Sequence, residues 1–291
     1  MYAKKKKRAY VVVIGDDSDV PAHESDTIAG ITDHYYACMD ADYAKDIFTP
    51  DLAVGRIAVA DEAQLAVVLK KYTNYTNGTF RTMDWVNSVS FLGTDDRYEV
   101  AEGTHNYVID TYTKAKGYTG VFPSAREAAG GDRLYAITNR ATTDDVMKAI
   151  GLGRSIVDYS GHGANTYWAG PEFDQSNVRA LKASGLPFVI SNACITGDFR
   201  VGESFAETWQ RHEFGAVMFW GSMDSTYWDE DDILERRMFD GIFRDKTLVF
   251  GDITRFAMVE MAKFYGNAGR SAYYFETYHM FGDPSMTLRV R

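Results

Sequence analysis

Short, continuous runs of apolar and β-branched residues recur along the chain, and this feature constrains the fold more than any other. The runs cover residues 10–14, 55–59, 89–92, 155–159, 187–191 and 216–220. Most are bounded by Gly or Asp. Continuous rather than alternating apolar character is typical of strands that are buried on both faces of a parallel sheet. The pattern therefore predicts a mostly parallel β-sheet.

Helical patterns lie between these runs. After Asp61, apolar residues recur with helical spacing until Gly78, so we expect Asp61 to cap this helix and Gly78 to end it. Further helices are predicted over residues 99–115, 143–150, 175–182, 203–212, 232–244 and 252–265. Strand and helix alternate throughout, which predicts an α/β fold with a doubly wound, mostly parallel sheet flanked by helices.

Composition limits the classes of function. A chain of 291 residues with 45% hydrophobic and 25% charged content can bury a sizeable core, as one domain or two tightly joined lobes. The net charge is −10 and the one concentrated basic run is residues 4–8, read as a tag, a linker stub or a solvated arm, so no nucleic-acid partner is expected. We find no apolar stretch of the roughly 20 residues that a membrane span needs, and no secretory leader.

A histidine and a cysteine each follow a predicted strand. His162 and Cys194 are 32 positions apart with one helical segment between them, and in a right-handed strand–helix–strand unit both strand ends lie side by side. A thiol is a strong nucleophile only as a thiolate, which a nearby imidazole favours. This spacing indicates a nucleophile and its base. A small core cysteine and a histidine in a turn are the structural alternatives.

The residues around His162 suit a site that a peptide approaches closely. Gly161 and Gly163 carry no side chain that would block a bound backbone. The N–H of Gly163, together with the N–H of Cys194, could then stabilise a developing oxyanion. The only other cysteine, Cys38, is far away in sequence, so neither a disulfide framework nor a thiolate zinc site is supported.

Two segments resemble the catalytic segments of the gingipains, cysteine peptidases with a caspase- and legumain-like fold. They are residues 159–168 (YSGHGANTYW) and 186–199 (LPFVISNACITGDF), with shorter matches at 13–16, 32–36, 204–207, 221–228 and 281–285. The resemblance runs from about residue 10 to the C-terminus. It implies that Cys194 attacks the scissile carbonyl, that His162 moves the proton, and that the Gly163 and Cys194 amides hold the oxyanion.

The resemblance also implies further site residues. Asp33 matches a family aspartate that either orients the histidine or lines the S1 pocket. Residues 227–231 (YWDED) resemble the lysine-cutting branch, which makes Asp231 the S1 carboxylate and Trp228 a pocket wall. Asn192 and Ser222 are assigned to the same pocket. For the acidic run that contains Asp231, a solvated turn is the alternative.

Calcium as a structural ion is the one metal that the resemblance implies. The candidate ligands are the loop aspartates Asp16, Asp17, Asp95 and Asp96, which offer hard oxygen atoms, although clustered loop acids are more often merely solvated. No cofactor is expected to be required.

The sequence thus predicts a cysteine endopeptidase that cleaves proteins or peptides after a basic residue, Lys rather than Arg, through an acyl-enzyme. Residues 1–85 are predicted to form a partial N-terminal lobe and residues 86–291 the caspase-like catalytic lobe. The resemblance implies an extracellular or cell-surface location. Two other functions stay open: a sortase-like transpeptidase that uses the same two residues, and a non-catalytic binding module.

Overall fold

A computed structural model of the chain describes residues 9–25, 27–40 and 42–291, so the basic run at residues 4–8 lies outside the described part. The strands are β1 Tyr10–Ile14, β2 His23–Glu24, β3 Ile31–Thr32, β4 Ala53–Ile57, β5 Val89–Gly93, β6 Asp132–Tyr135, β7 Ile156–Ser160, β8 Gly163–Ala164, β9 Tyr167–Trp168, β10 Phe173–Asp174, β11 Phe188–Asn192, β12 Met218–Ser222 and β13 Tyr278–Phe281. Eight of them form the central sheet, in the order β1-β4-β13-β12-β11-β7-β5-β6. Neighbouring strands are parallel except β12 and β13.

The predicted strands are confirmed with their ends shifted by at most about two residues. Two strands of the sheet, β6 and β13, were missed. Each carries a buried polar residue that interrupts the apolar pattern: Asp132 in β6 and His279 in β13. Asp132 is paired with Arg154 at 2.7 Å, so a charge lies where the sequence pattern called for an apolar side chain.

The α-helices are α1 Tyr43–Asp46, α2 Glu62–Asn77, α3 Tyr98–Val108, α4 Thr143–Gly151, α5 Gln175–Ala180, α6 Phe205–Arg211, α7 Trp228–Phe239, α8 Phe250–Phe264 and α9 Ser271–Thr277. The predicted ends of α2 are confirmed: the Asp61 side chain accepts the N–H of Gln64, and Gly78 is left-handed with φ 66°. Helix α7 begins four residues before its predicted start. Its first turn is therefore acidic, and acidic side chains are favourable at the positive end of a helix dipole.

The two faces of the sheet are both covered. On β11, Phe188 and Ile190 belong to one hydrophobic cluster, while Val189 belongs to the other. Helices α2, α3, α7, α8 and α9 contribute to the first cluster and α4, α5 and α6 to the second. Strand side chains alternate between the faces, so this division is the doubly wound arrangement that the sequence predicts.

The sheet continues across the predicted boundary between residues 85 and 86. Strand β4, from the first segment, pairs with β13, from the second, at Arg56 and Phe281. Ile57 and Tyr72 also belong to the same hydrophobic cluster as Phe188. Both predicted segments therefore contribute to one sheet and one core. Within the described ranges, no helix has the length and apolar character needed to cross a bilayer.

Candidate active site

His162 and Cys194 lie at the same edge of the sheet. Strands β7 and β11 are parallel neighbours, and their register pairs Ser160 with Asn192, the last residue of each strand. His162 and Cys194 each follow that pair by two residues. The structure therefore places both at the carboxyl ends of adjacent strands, where sites form in sheets of this kind.

Gly163 allows the two loops to pack closely. A Cβ atom at this position would lie 2.7 Å from Thr196 Cγ2, 2.9 Å from Ala193 Cβ and 3.1 Å from the Cys194 carbonyl oxygen. Contacts between carbon atoms are repulsive at these distances, so any side chain here would push the histidine loop away from the cysteine loop. The backbone of Gly163 is thus held against the segment that carries Cys194.

The loop of Cys194 is tightly held. The sulfur accepts the N–H of Thr226 at 3.3 Å and lies 3.9 Å from the Thr226 carbonyl oxygen. The next residue, Ile195, has φ 50°, a left-handed conformation that is strained for a β-branched side chain. Its N–H donates to the Asp224 carbonyl at 3.2 Å. These bonds fix the half-buried sulfur in a defined position.

Cys38 provides a contrast with Cys194 in the same chain. Burial, with neighbouring carboxylates, raises the pKa of the Cys38 thiol to about 12. At neutral pH this thiol is protonated and a poor nucleophile. Cys38 Sγ also lies near an imidazole, 3.6 Å from His34 Nε2, but burial lowers the pKa of that histidine to about 4. Cys194 is half-buried at the sheet edge, with His162 on the neighbouring loop.

Asp96 orients the imidazole of His162. Its Oδ2 lies 2.8 Å from His162 Nε2, and the hydrogen bond lowers the pKa of Asp96. Strand β5 ends beside β7, with Gly93 paired to Ser160, so the loop after β5 reaches the histidine loop. The sequence prediction placed Asp96 among the calcium ligands and missed this role. The order of the strands was the signal needed to find it.

Asp33 is not the partner of His162, which corrects its predicted catalytic role. Its carboxylate accepts two hydrogen bonds from the guanidinium of Arg56, at 2.7 Å and 2.6 Å, and its N–H donates to His279 Nε2 at 3.1 Å. Arg56 is on β4, which three strands separate from β7, or roughly 19 Å at ordinary strand spacing. The buried guanidinium binds this carboxylate instead.

Trp228 and Asp231 lie on the first turn of α7, three residues apart and thus on one helix face. The Trp228 ring meets the His162 ring edge-on, with 5.6 Å between centroids. Asp231 is buried, and its Oδ1 accepts hydrogen bonds from Tyr274 at 3.0 Å and Tyr278 at 2.7 Å. Burial raises the pKa of Asp231 to about 7. This carboxyl is therefore part of a buried polar layer and not of a solvated turn.

Asn192 and Ser222 point into the protein, which corrects their assignment to the S1 pocket. The Asn192 amide donates to Glu235 Oε2 at 3.1 Å beneath the sheet edge. The Ser222 hydroxyl donates to the Ala193 carbonyl at 2.7 Å and so supports the loop of Cys194. Both residues are buried, because the last residues of β11 and β12 still belong to the sheet interior.

The loop aspartates named for calcium do not converge. Asp16 accepts the N–H of Asp17, Asp17 accepts the N–H of Ala22, and Asp95 lies beside the Thr94 hydroxyl. Among the described residues, the one group of three or more converging metal-binding side chains lies elsewhere, in the interior. Calcium binding by these loops stays a prediction.

Solved protease structures share this fold. One described as "Structure of Protease" superposes with a TM-score of 0.83 at 21% identity, over 99% of this chain and 66% of that one. The crystal structure of the Arg-specific cysteine proteinase gingipain R superposes with a TM-score of 0.77 at 24% identity, over 97% and 64%. The chain thus has the caspase-like α/β fold of gingipain-type proteins.

Sequence comparison gives the family. Lys-gingipain of Porphyromonas gingivalis is 23% identical over 306 residues, covering 95% of this chain and 17% of the relative. Gingipain R2 of the same organism is 25% identical over 302 residues, covering 97% and 38%. The chain therefore spans well under half the length of these relatives. The model of peptidase family C25 matches residues 1–289, and the chain belongs to that family.

Proposed function

We propose that the chain is a cysteine endopeptidase with Cys194 as nucleophile, His162 as its base and Asp96 as the residue that orients the base. The observation that carries the proposal is the register of β7 and β11, which brings the histidine and cysteine loops together at one edge. Membership of peptidase family C25 supports it independently.

In the proposed reaction, His162 takes the thiol proton as the sulfur of Cys194 attacks the substrate carbonyl carbon. The Nε2 atom of His162 is hydrogen-bonded to Asp96, so Nδ1 is the nitrogen that exchanges the proton with the thiol. The oxyanion accepts hydrogen bonds from the Gly163 and Cys194 amides. The C–N bond then breaks, the amine leaves with the proton from the imidazole, and a thioester remains. Water, deprotonated by His162, hydrolyses the thioester and restores the thiol.

The proposed substrates are proteins or peptides with a basic residue before the cut. Asp231 is the acid for this pocket and Trp228 its wall. A carboxylate that faces a Lys or Arg side chain forms a charge-assisted hydrogen bond, although both groups must lose water first. Lysine is proposed over arginine on the resemblance of residues 227–231 alone, since Lys-gingipain and gingipain R2 match the chain about equally well.

The test is a panel of peptides that differ only in the residue before the cut: Lys, Arg or Leu. We expect cleavage of the Lys peptide, slower cleavage of the Arg peptide and little cleavage of the Leu peptide. Cys194→Ala should abolish all three activities. Cys38→Ala is the matched control, because it removes the unreactive thiol and should leave the rates unchanged. Cleavage that survives in Cys194→Ala would refute the mechanism.

Product analysis separates hydrolysis from acyl transfer. With an added amine nucleophile, a transpeptidase yields mainly the amide, whereas the proposed hydrolase yields mainly the free acid. A chain that binds these peptides without cleaving any of them would instead be a binding module. The proposed reaction requires no cofactor and no nucleic acid. An extracellular or cell-surface location of the protein is proposed from the family resemblance alone.

A further inference from the structure

Three metal-binding side chains meet in the interior beneath the candidate active site. His105 comes from α3, Asp158 from β7 and Glu235 from α7, and one ligand atom of each lies within 4.8 Å of the others. All three are fully buried. Asn192, the last residue of β11, lies beside them and donates to Glu235 Oε2 at 3.1 Å and to Asp158 Oδ1 at 3.4 Å.

Several buried polar atoms of this cluster lack a hydrogen-bond partner when both acids are ionised. Both ring nitrogens of His105, Oδ2 of Asp158, Oε1 of Glu235 and Oδ1 of Asn192 are buried and unsatisfied. The Nε2 atom of His105 lies 3.7 Å from Asp158 Oδ2 and 3.5 Å from Glu235 Oε1. These separations are too long for hydrogen bonds. A buried polar atom without a partner costs free energy. Five such atoms in one place therefore point to a missing ligand.

From this geometry we propose that His105, Asp158 and Glu235 bind a zinc ion. Zinc ligands lie about 2.0–2.2 Å from the metal in a tetrahedron, so pairs of ligand atoms are separated by roughly 3.4 Å. The two distances from His105 Nε2 match that separation closely. Asn192 Oδ1, which also has no partner, is the fourth candidate ligand.

The charge and the kind of ligands favour zinc over calcium. Two carboxylates balance a divalent cation, and a neutral imidazole is an ordinary zinc ligand. Calcium takes six to eight oxygen ligands and rarely an imidazole. A single His with two acids in a small buried site suits zinc.

The position of the ion gives it a role. Strand β7 leads to His162, while α7 begins with Trp228 and Asp231. A zinc ion bound to residues of both elements, and of α3, would fix the histidine loop relative to the proposed S1 pocket. The site is therefore structural, beneath the reacting groups, and zinc takes no part in the proposed cleavage.

The rival arrangement is a metal-free pair of acids. Burial raises the pKa of both Asp158 and Glu235, so one of them would keep its proton at neutral pH. A neutral acid would then donate a hydrogen bond to the neighbouring carboxylate and leave less net charge in the interior. Metal content distinguishes the two arrangements directly, whether or not the chain is a peptidase.

The experiment measures zinc in the whole chain carrying Cys194→Ala, which removes the half-buried thiol as a competing ligand and prevents self-cleavage. The protein is unfolded, refolded with excess zinc sulfate, dialysed and analysed by plasma mass spectrometry. We expect about one zinc per chain. In the same background, Glu235→Gln should fall below about a tenth of that value.

Asp231→Asn is the matched control, because Asp231 is a buried acid one turn earlier on the same helix but outside the cluster. It should keep its zinc. The second measurement is thermal unfolding of the Cys194→Ala chain refolded with zinc or with a chelator, where zinc should raise the Tm by several degrees. The proposal is overturned if that chain carries under about a tenth of an equivalent, or if Glu235→Gln carries as much zinc as its parent.

Discussion

Two aspartates of the chain pair with basic side chains in opposite settings. Asp33 makes a two-pronged ion pair with Arg56, and the two side chains are 4% and 0% exposed. Asp96 makes a single hydrogen bond to His162, and these side chains are 62% and 51% exposed. The resemblance implies that Asp33 either orients the histidine or lines the S1 pocket, whereas Asp96 is the aspartate that contacts the histidine.

The two pairs differ in burial, and this difference suits one to stabilising the fold and the other to catalysis. A buried carboxylate that loses its guanidinium stays desolvated, so breaking such a pair is expensive. An exposed pair is hydrated and contributes little to stability, yet its histidine is open to a substrate. A site that must bind and release a peptide therefore uses the weaker of the two pairs, and the stronger one joins β4 to the segment that precedes it.

The largest effect is expected for Asp33→Asn. This substitution removes the charge from a buried pair and leaves Arg56 uncompensated, which should cost about 3–5 kcal/mol of unfolding free energy. Urea unfolding of the Cys194→Ala chain with and without the substitution measures the loss without interference from self-cleavage.

A double variant tests the cause. Adding Arg56→Met to Asp33→Asn removes the stranded charge, so the pair of substitutions should cost less than the sum of the two single ones. If Asp33→Asn lowers the unfolding free energy by under about 1 kcal/mol, or if the two costs simply add, the ion pair does not stabilise the contact between β4 and the segment that contains Asp33.

The second effect concerns activity. Asp96→Asn should lower kcat/KM on the Lys peptide by roughly 10²-fold, since the imidazole loses its orienting carboxylate. Its effect on unfolding free energy should stay below about 1 kcal/mol, because the pair is exposed.

Asp95→Asn is the control in the same loop, because its carboxylate faces the Thr94 hydroxyl rather than the imidazole. That variant should keep nearly full activity. Equal losses in both variants would assign the effect to the loop as a whole, and a large loss of stability in Asp96→Asn would erase the contrast with Asp33.

The same comparison shows what sequence can reveal. The runs at 187–191 and 155–159 predicted β11 and β7 because strands buried on both faces are apolar throughout, and the site residues followed from the strand ends. Strand β6 could not be found in this way, since Asp132 in it is buried against the side chains of Ser90 and Arg154, which are 42 and 22 residues away in sequence. A residue whose partners are distant in sequence carries no local signal.

The partners within the site were hidden for the same reason. His162 and Cys194 could be paired because one strand–helix–strand unit contains both. Asp96 lies in the loop after β5, a strand that comes two strands before β7 in sequence and becomes its neighbour only in the assembled sheet. Asn192 and Ser222 were misplaced because a residue at a strand end can point either to the substrate or into the core, and sequence does not distinguish the two.

The last comparison involves a third aspartate, Asp231, which is buried like Asp33 but bonded to two tyrosine hydroxyls instead of a cation. Burial raises its pKa to about 7, against about 3.9 for an unfolded chain. Between pH 4 and 7 the folded chain therefore keeps a proton that the unfolded chain has lost. The contribution of Asp231 to the free energy of unfolding should be greatest below pH 4. It should fall as the pH rises towards 7, by about 1.4 kcal/mol per pH unit at most.

Asp231→Asn removes this titration, so its unfolding free energy should change less between pH 5 and pH 7 than that of the parent chain. Urea unfolding at both pH values, in the Cys194→Ala background, measures the difference. Glu207, whose pKa burial also raises to about 7, should leave a residual slope of the same sign in both chains. Identical slopes in parent and variant would mean that Asp231 is already ionised in the folded chain at pH 5, stabilised by its two hydroxyl partners.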